Sequence, residues 1–162
     1  MVSNSFCNLP CRWFLLALSS LLCLSAQSNS HLKVGESASI SAPRGASVEA
    51  KIPVTVDAGF HVNSNRPSED YLIPLSLKWT SLGALEGGEV TYPPSKAEKY
   101  DFSEKPLAVF SGSFSLKASF KVAAAAPPGP GVATGKLRYQ ACNSTTCFPP
   151  KMADVNVTYQ VQ

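Results

Sequence analysis

The stretch VEAKIPVTVDA, Val48 to Ala58, places apolar side chains at Val48, Ala50, Ile52, Val54 and Val56 and polar ones at Glu49, Lys51, Thr55 and Asp57. A period of two is the mark of a strand with one face toward a core and the other toward water. The same beat returns in SFSLKASFKV, where Phe114, Leu116, Ala118, Phe120 and Val122 alternate with serines and lysines. Near the C-terminus Val155, Val157, Tyr159 and Val161 alternate with Asn156, Thr158 and Gln160. YLIPLSLKW (71–79), GEVTYP (88–93), PLAVF (106–110) and GKLRYQAC (135–142) read as further strands. The 13 prolines and the turn clusters NSNRPSED and APPGPG leave little room for helices. Ala123 to Ala126 has helical composition but stops at Pro127 and Pro128, too short to stand as a helix. The pattern predicts an all-β chain: one antiparallel, immunoglobulin-like β-sandwich of about seven strands. Its span is residues 48–162, and the preceding segment, 29–47, is expected to be loosely ordered.

The first 28 residues read differently. Arg12 precedes the apolar run WFLLALSSLLCLSA, small residues follow, and no acidic side chain occurs before Glu36. That is the build of an export leader, shorter than a membrane span, with cleavage after Ala26 or Ser28. The mature chain is thus expected to be periplasmic or secreted, without stable membrane insertion. Loss of Arg12 leaves one fewer than the 14 basic side chains of the whole chain against 11 acidic ones. Such near balance argues against nucleic acid or an anionic membrane as partner. The remaining chain of about 135 residues is long enough for its own core.

Export would also remove Cys7, Cys11 and Cys23, leaving Cys142 and Cys147 with four residues between them. A structural bridge is the ordinary reading of two cysteines in an exported domain. The enclosed loop is so short, however, that chain entropy credits such a bridge with only about 2 kcal/mol. A metal site would need His31 or His61 to join the thiols, and neither stands at a finger-like spacing. Covalent haem needs C-x-x-C-H, which is absent. Nucleophilic hydrolysis would need a base such as His61 held beside a thiol. Thiol–disulfide exchange suits two thiols held close on a hairpin, because one can open a partner's disulfide and the other can resolve the mixed disulfide. Lys136, Arg138 and Lys151 lie nearby in sequence and would favour thiolate. By strand parity, Leu137, Tyr139 and Ala141 face inward, so Cys142 is expected on the polar, reachable face. No metal and no cofactor is expected.

LRYQACNSTTCFPP, Leu137 to Pro150, closely resembles the cysteine motif of the N-terminal periplasmic domain of the DsbD thiol:disulfide interchange proteins, where Tyr-Gln-x-Cys leads to a second cysteine and a proline pair. GFHVNSNRPSEDYLIPLSLKW (59–79) and LAVFSGSF (107–114) are similar to an early and a middle part of the same family. The likeness runs from about Val48 to Val161 and implies an immunoglobulin-like domain. It would take reducing equivalents from a thioredoxin-like domain or a membrane thiol transporter and hand them to periplasmic oxidoreductases, as a component of a protein-disulfide reductase. By the resemblance, Cys147 forms the mixed disulfides and Cys142 resolves them. EKYDFSEK (98–105) looks like the family's cap loop, with Tyr100 or Phe102 as the capping ring. Phe60 and His61 fall where the family carries aromatic residues near the site, and Tyr139, Phe148 and Pro149 complete the expected surround. Full-length DsbD proteins continue into membrane and thioredoxin domains that do not follow Gln162 in this sequence, which implies either that donor and acceptor are met in trans or that the fold is kept without the relay. The competing reading is a non-catalytic immunoglobulin-like binding module with a structural disulfide.

Overall fold

The structure is a computed structural model that describes residues 30–162; the expected leader over residues 1–28, with Cys7, Cys11 and Cys23, lies outside the described residues. The strands are β1 Leu32–Val34, β2 Ile40–Ala42, β3 Ser47–Val56, β4 His61–Asn63, β5 Ser76–Ser81, β6 Leu85–Thr91, β7 Lys96–Glu98, β8 Leu107–Phe110, β9 Ser113–Val122, β10 Gly129–Tyr139, β11 Ala141–Cys142 and β12 Lys151–Val161. Among the described residues there is no helix.

The two clearest alternating stretches become neighbours. β3 and β9 pair antiparallel with Ala50 opposite Ala118, Ile52 opposite Leu116 and Val54 opposite Phe114, so apolar side chains meet on one face. Ala50, Ile52, Leu116 and Ala118 are almost completely buried. β1 and β6 complete this sheet in the order β1-β3-β9-β6. The second sheet, β2-β12-β10-β5, turns Val155, Val157, Ala133 and Leu137 into the same core. Two such faces closing on each other form the immunoglobulin-like all-β sandwich that the alternation predicted. One pairing departs from a wholly antiparallel arrangement: β2 runs parallel to β12, Ile40 opposite Tyr159.

Tyr159 illustrates how closely the sheets are fitted. Its hydroxyl accepts a 2.7 Å hydrogen bond from the Ala84 amide, and its ring lies over Gly131, the residue opposite it on β10. A Cβ on Gly131 would come within 2.3 Å of the Tyr159 ring, so only a hydrogen fits there.

The segment 30–47 contributes two short strands: β1 registers Leu32 opposite Val56, β2 joins β12, and Leu32 and Ala42 are buried. Two expectations are corrected. YLIPLSLKW becomes a strand only from Ser76, beyond Pro74. The strand count is higher than about seven because a third small sheet, β11-β4-β8-β7, stands beside the other two. That third sheet carries the cysteines.

A Gly131→Ala variant should lose about 1–3 kcal/mol, the usual cost of overpacking a filled core. Urea unfolding should show a lower midpoint with an unchanged slope; a midpoint equal to that of the parent would contradict the fit between Gly131 and Tyr159.

Candidate functional site

β10 ends at Tyr139, Gln140 belongs to no strand, and the chain re-enters a sheet at Ala141 as the partner of β4. The break shifts the phase, so Ala141 and Cys142 are both buried in succession, and Cys142 has no exposed surface. This overturns the expected placement of Cys142 on a reachable polar face: simple parity holds only within one ladder, and the chain changes ladders here. Cys147 is half-buried and is the more accessible of the two cysteines.

Cys142 and Cys147 form a disulfide across a tight hairpin, with Cα atoms 3.9 Å apart. The hairpin is also closed by polar contacts that do not involve sulfur. Asn143 Oδ1 accepts from the amides of Thr145 at 2.9 Å and Thr146 at 2.8 Å, an Asx turn that sets the reversal. The Asn143 amide donates to the Thr146 carbonyl, and the Phe148 amide donates to the Ala141 carbonyl, both at 2.9 Å. Pro149 and Pro150 follow, exposed, and withhold two amides from further pairing.

Gln140 ties this hairpin to the rest of the molecule. Its Nε2 donates to the Phe148 carbonyl at 3.2 Å, while its Oε1 accepts from Asn63 Nδ2 at 3.2 Å and from the Ile73 amide at 3.3 Å. Alternation had assigned Gln140 to a solvent-facing position. The signal for its role was its place in the Tyr-Gln-x-Cys motif.

Aromatic rings flank the disulfide hairpin in two groups. In one, His31 stacks on Phe60 with ring centres 3.6 Å apart, and Phe148 lies 5.4 Å from His31 and 5.9 Å from Phe60. His31 Nδ1 also stands 3.5 Å from Asp57 Oδ2. In the other, His61 stacks on Tyr100 at 4.0 Å, and Phe102 lies 5.5 Å beyond Tyr100. Tyr100 and Phe102 rest on a small apolar cluster of Leu72, Leu107 and Val109, separate from the main core. The loop that carries them is stapled by Ser103, whose amide donates to the Tyr100 carbonyl and whose own carbonyl accepts from Lys99 Nζ. Phe60 and His61 thus point to different groups, as adjacent residues of extended chain do. Tyr139 belongs to neither; it is buried, with its hydroxyl 2.9 Å from Ser30 Oγ, and fastens the N-terminal segment over the end of β10. His31, Asn63, Asn143 and Glu98 are contributors that the sequence reading did not assign to this site.

The site's electrostatics are set by burial. Tyr100 donates a 2.6 Å hydrogen bond to Glu98 Oε2, and desolvation together with that carboxylate holds the phenol well above its ordinary range, hence protonated. Desolvation lowers the pKa of His61 below 6.5, opposed by the negative charge of Glu98. A groove of about 270 Å³, lined by Tyr71, Leu72, Phe102, Gln140, Thr145 and Thr146, opens onto Cys147. Tyr71 is largely exposed at its rim.

An immunoglobulin-like sandwich with a short-loop disulfide mounted on an auxiliary sheet defines the class of this protein. The sequence profile described as "Thiol:disulfide interchange protein DsbD, N-terminal" matches residues 28–158, and the chain belongs to that family. The fold is similar to that of the N-terminal periplasmic domain of ScsB from Proteus mirabilis, with a TM-score of 0.55 at 14% identity over 83% of this chain and 48% of that one. The chain therefore spans about half the length of that relative. The reduced DsbD N-terminal domain of Neisseria meningitidis aligns with a TM-score of 0.43 and 17% identity, over 74% of this chain and 86% of that one. The seventh ScaB type I cohesin of Pseudobacteroides cellulosolvens gives 0.43 and 16%, over 78% and 89%. Comparison with curated proteins found no match.

Two measurements follow from this geometry. After reduction of the folded protein, iodoacetamide should label Cys147 well before Cys142, read by mass spectrometry of quenched samples; the reverse order would contradict the burial difference. Because the folded pKa of His61 lies below its unfolded value, the native state binds fewer protons there. The stability tied to neutral His61 is present above about pH 6.5 and is lost as the pH falls toward the folded pKa. A His61→Phe variant should therefore lose less stability than the parent between about pH 7 and about pH 5 in urea titrations. Equal losses would show that burial of His61 carries no such linkage.

Proposed function

We propose that this protein is an exported thiol:disulfide exchange domain. Its Cys142–Cys147 pair accepts reducing equivalents from a thioredoxin-like donor or a membrane thiol transporter and passes them to periplasmic oxidoreductases. The observation that carries this reading is that the cysteine hairpin is closed by its own hydrogen bonds. Asn143, Gln140 and the Phe148 amide close the hairpin through bonds that do not involve sulfur, and these would keep Cys142 and Cys147 close once the bridge is opened. A bridge whose removal leaves its loop standing stabilises little, and a loop this short credits it with only about 2 kcal/mol in any case. Two thiols kept close after reduction are, in contrast, what exchange requires. Family membership supports the same reading.

The difference in burial between Cys142 and Cys147 supports the roles that the family resemblance implies. A donor thiolate reaches Cys147, attacks its sulfur and forms a mixed disulfide, while Cys142 leaves with the bonding electron pair and takes up a proton. A second thiol of the donor then attacks its own sulfur in that mixed disulfide and releases Cys147, so donor and chain exchange two electrons. Toward an acceptor, the Cys147 thiolate attacks the acceptor's disulfide, and Cys142 then attacks Cys147 and expels the acceptor's thiolate. The groove beside Cys147 is the place for the segment of a partner that bears its cysteine, with Tyr71 exposed at the rim. Tyr100 and Phe102 act as the cap.

The test is a redox titration of the protein from residue 29 onward in graded reduced and oxidised glutathione, with free thiols trapped by a mass-tagging reagent. Coexistence of dithiol and disulfide within the glutathione range is expected, together with loss of exchange in Cys147→Ala and accumulation of a mixed disulfide in Cys142→Ala. A bridge that stays closed even with a thioredoxin-like donor, as structural disulfides below about −300 mV do, would instead establish the binding module with a structural disulfide.

A further inference from the structure

Exchange asks the buried sulfur to carry a proton in one state and to lose it in the next. Cys142 has no exposed surface, and a thiol sealed in apolar surroundings gives up its proton reluctantly. Solvent cannot be the immediate acceptor, so one must be built in.

His61 stands where that acceptor is needed. It is the direct cross-strand partner of Cys142 in the β4–β11 ladder. Opposed residues of an antiparallel pair project to the same face with Cβ atoms about 4.5–5.5 Å apart, a gap that an imidazole and a thiol can span. Only 3% of His61 is exposed, and its Nε2 is buried without a hydrogen-bond partner among the described residues while the disulfide is closed. Buried side-chain nitrogens are ordinarily paired, so an imidazole serving only to pack would be expected to be satisfied. An unpaired Nε2 opposite a cysteine gains a donor when that cysteine becomes a thiol.

The surroundings fit a neutral imidazole that can accept a proton. From the cap, the Tyr100 and Phe102 rings stack over it, and the Tyr100 hydroxyl is committed to Glu98. From β7, Glu98 is the charged group that acts on His61, and its other oxygen lies 3.4 Å from Ser111 Oγ. β8 brings only Leu107, Ala108, Val109 and Phe110, none of which titrates. Lys99 is turned to the Ser103 carbonyl, and Asp101 is exposed on the cap loop. Burial keeps His61 neutral near pH 7, and the nearby carboxylate favours the imidazolium once formed.

We infer that His61 is the proton acceptor for the Cys142 thiol in the resolving step. With an acceptor's sulfur joined to Cys147, His61 Nε2 takes the Cys142 proton as the Cys142 sulfur attacks Cys147 Sγ. The Cys142–Cys147 bond forms, the bond from Cys147 to the acceptor's sulfur breaks, and the acceptor's sulfur leaves as thiolate with the electron pair. The imidazolium then releases its proton to that thiolate or to water. The inference rests on the exchange reading and adds to it a residue and a pH dependence.

Stopped-flow reaction of the reduced protein with dithiobis(nitrobenzoate) separates the two steps, because each releases one coloured thiolate: the first on attack by Cys147, the second on resolution by Cys142. In His61→Gln and His61→Phe the second phase should slow relative to the first by about 10²-fold, the contribution usual for a placed general base. Its pH midpoint should also move up to that of an unassisted thiol, about 8.5 or above. A second phase with the parent's rate and pH profile in both variants overturns the inference and leaves the exchange reading standing. Absence of any second release in the parent overturns both. The imidazole resonances of the unmutated protein give a readout free of folding effects: the titration midpoint of His61 should move on reduction of the disulfide, and an unmoved midpoint overturns the inference.

Discussion

The break in the β-ladder at Gln140 is the constraint on which the site depends. Up to Tyr139 the chain belongs to the large second sheet; from Ala141 it belongs to the small third sheet. A residue between two ladders leaves backbone groups in need of partners, and buried polar groups are costly when unpaired. The Gln140 side chain supplies those links, with one amide group joining the cysteine hairpin, β4 and the Ile73 backbone. Because of that junction Cys142 turns inward and Cys147 stays near the surface.

The remaining parts are arranged around this junction by packing rather than by charge. His31, Phe60 and Phe148 form one group, and the N-terminal segment reaches it because β1 pairs with β3 and the Asp57 amide donates to the His31 carbonyl. His61, Tyr100 and Phe102 form the other, seated on a satellite apolar cluster that the main core does not share. Elements with few core contacts open more readily than the sandwich does. The loop bearing Tyr100 and Phe102 has only that small cluster beneath it, whereas the sandwich is held by Ile52, Leu116, Val155 and Val157.

The sandwich was legible in the sequence because its strands obey one rule. Alternation over ten or so residues survives any detail of loop geometry, and the inward positions of β3, β9 and β12 are those read from the period of two. The candidate site was legible only as a motif. Cys142 and Cys147, the Tyr-Gln-x-Cys approach and the proline pair stood out, and the family resemblance proposed the rings around them. The burial of Cys142 did not stand out, because parity was carried through Gln140 as though one strand continued. Nor did β1 and β2, three-residue strands too short for any period to register.

What the amino-acid sequence determined by itself was therefore the class of fold and the pair of sulfurs, since both rest on local pattern: alternation along a strand and two cysteines five positions apart. Tertiary structure alone decided which sulfur is buried, which histidine stands opposite it and which stacks on Phe60, and where Gln140 spends its hydrogen bonds. The physical reason is that these depend on the register between β4 and β11 and on the step from one sheet to another. Both are set by contacts between residues as far apart in the chain as Asn63 and Gln140, and no local period encodes them.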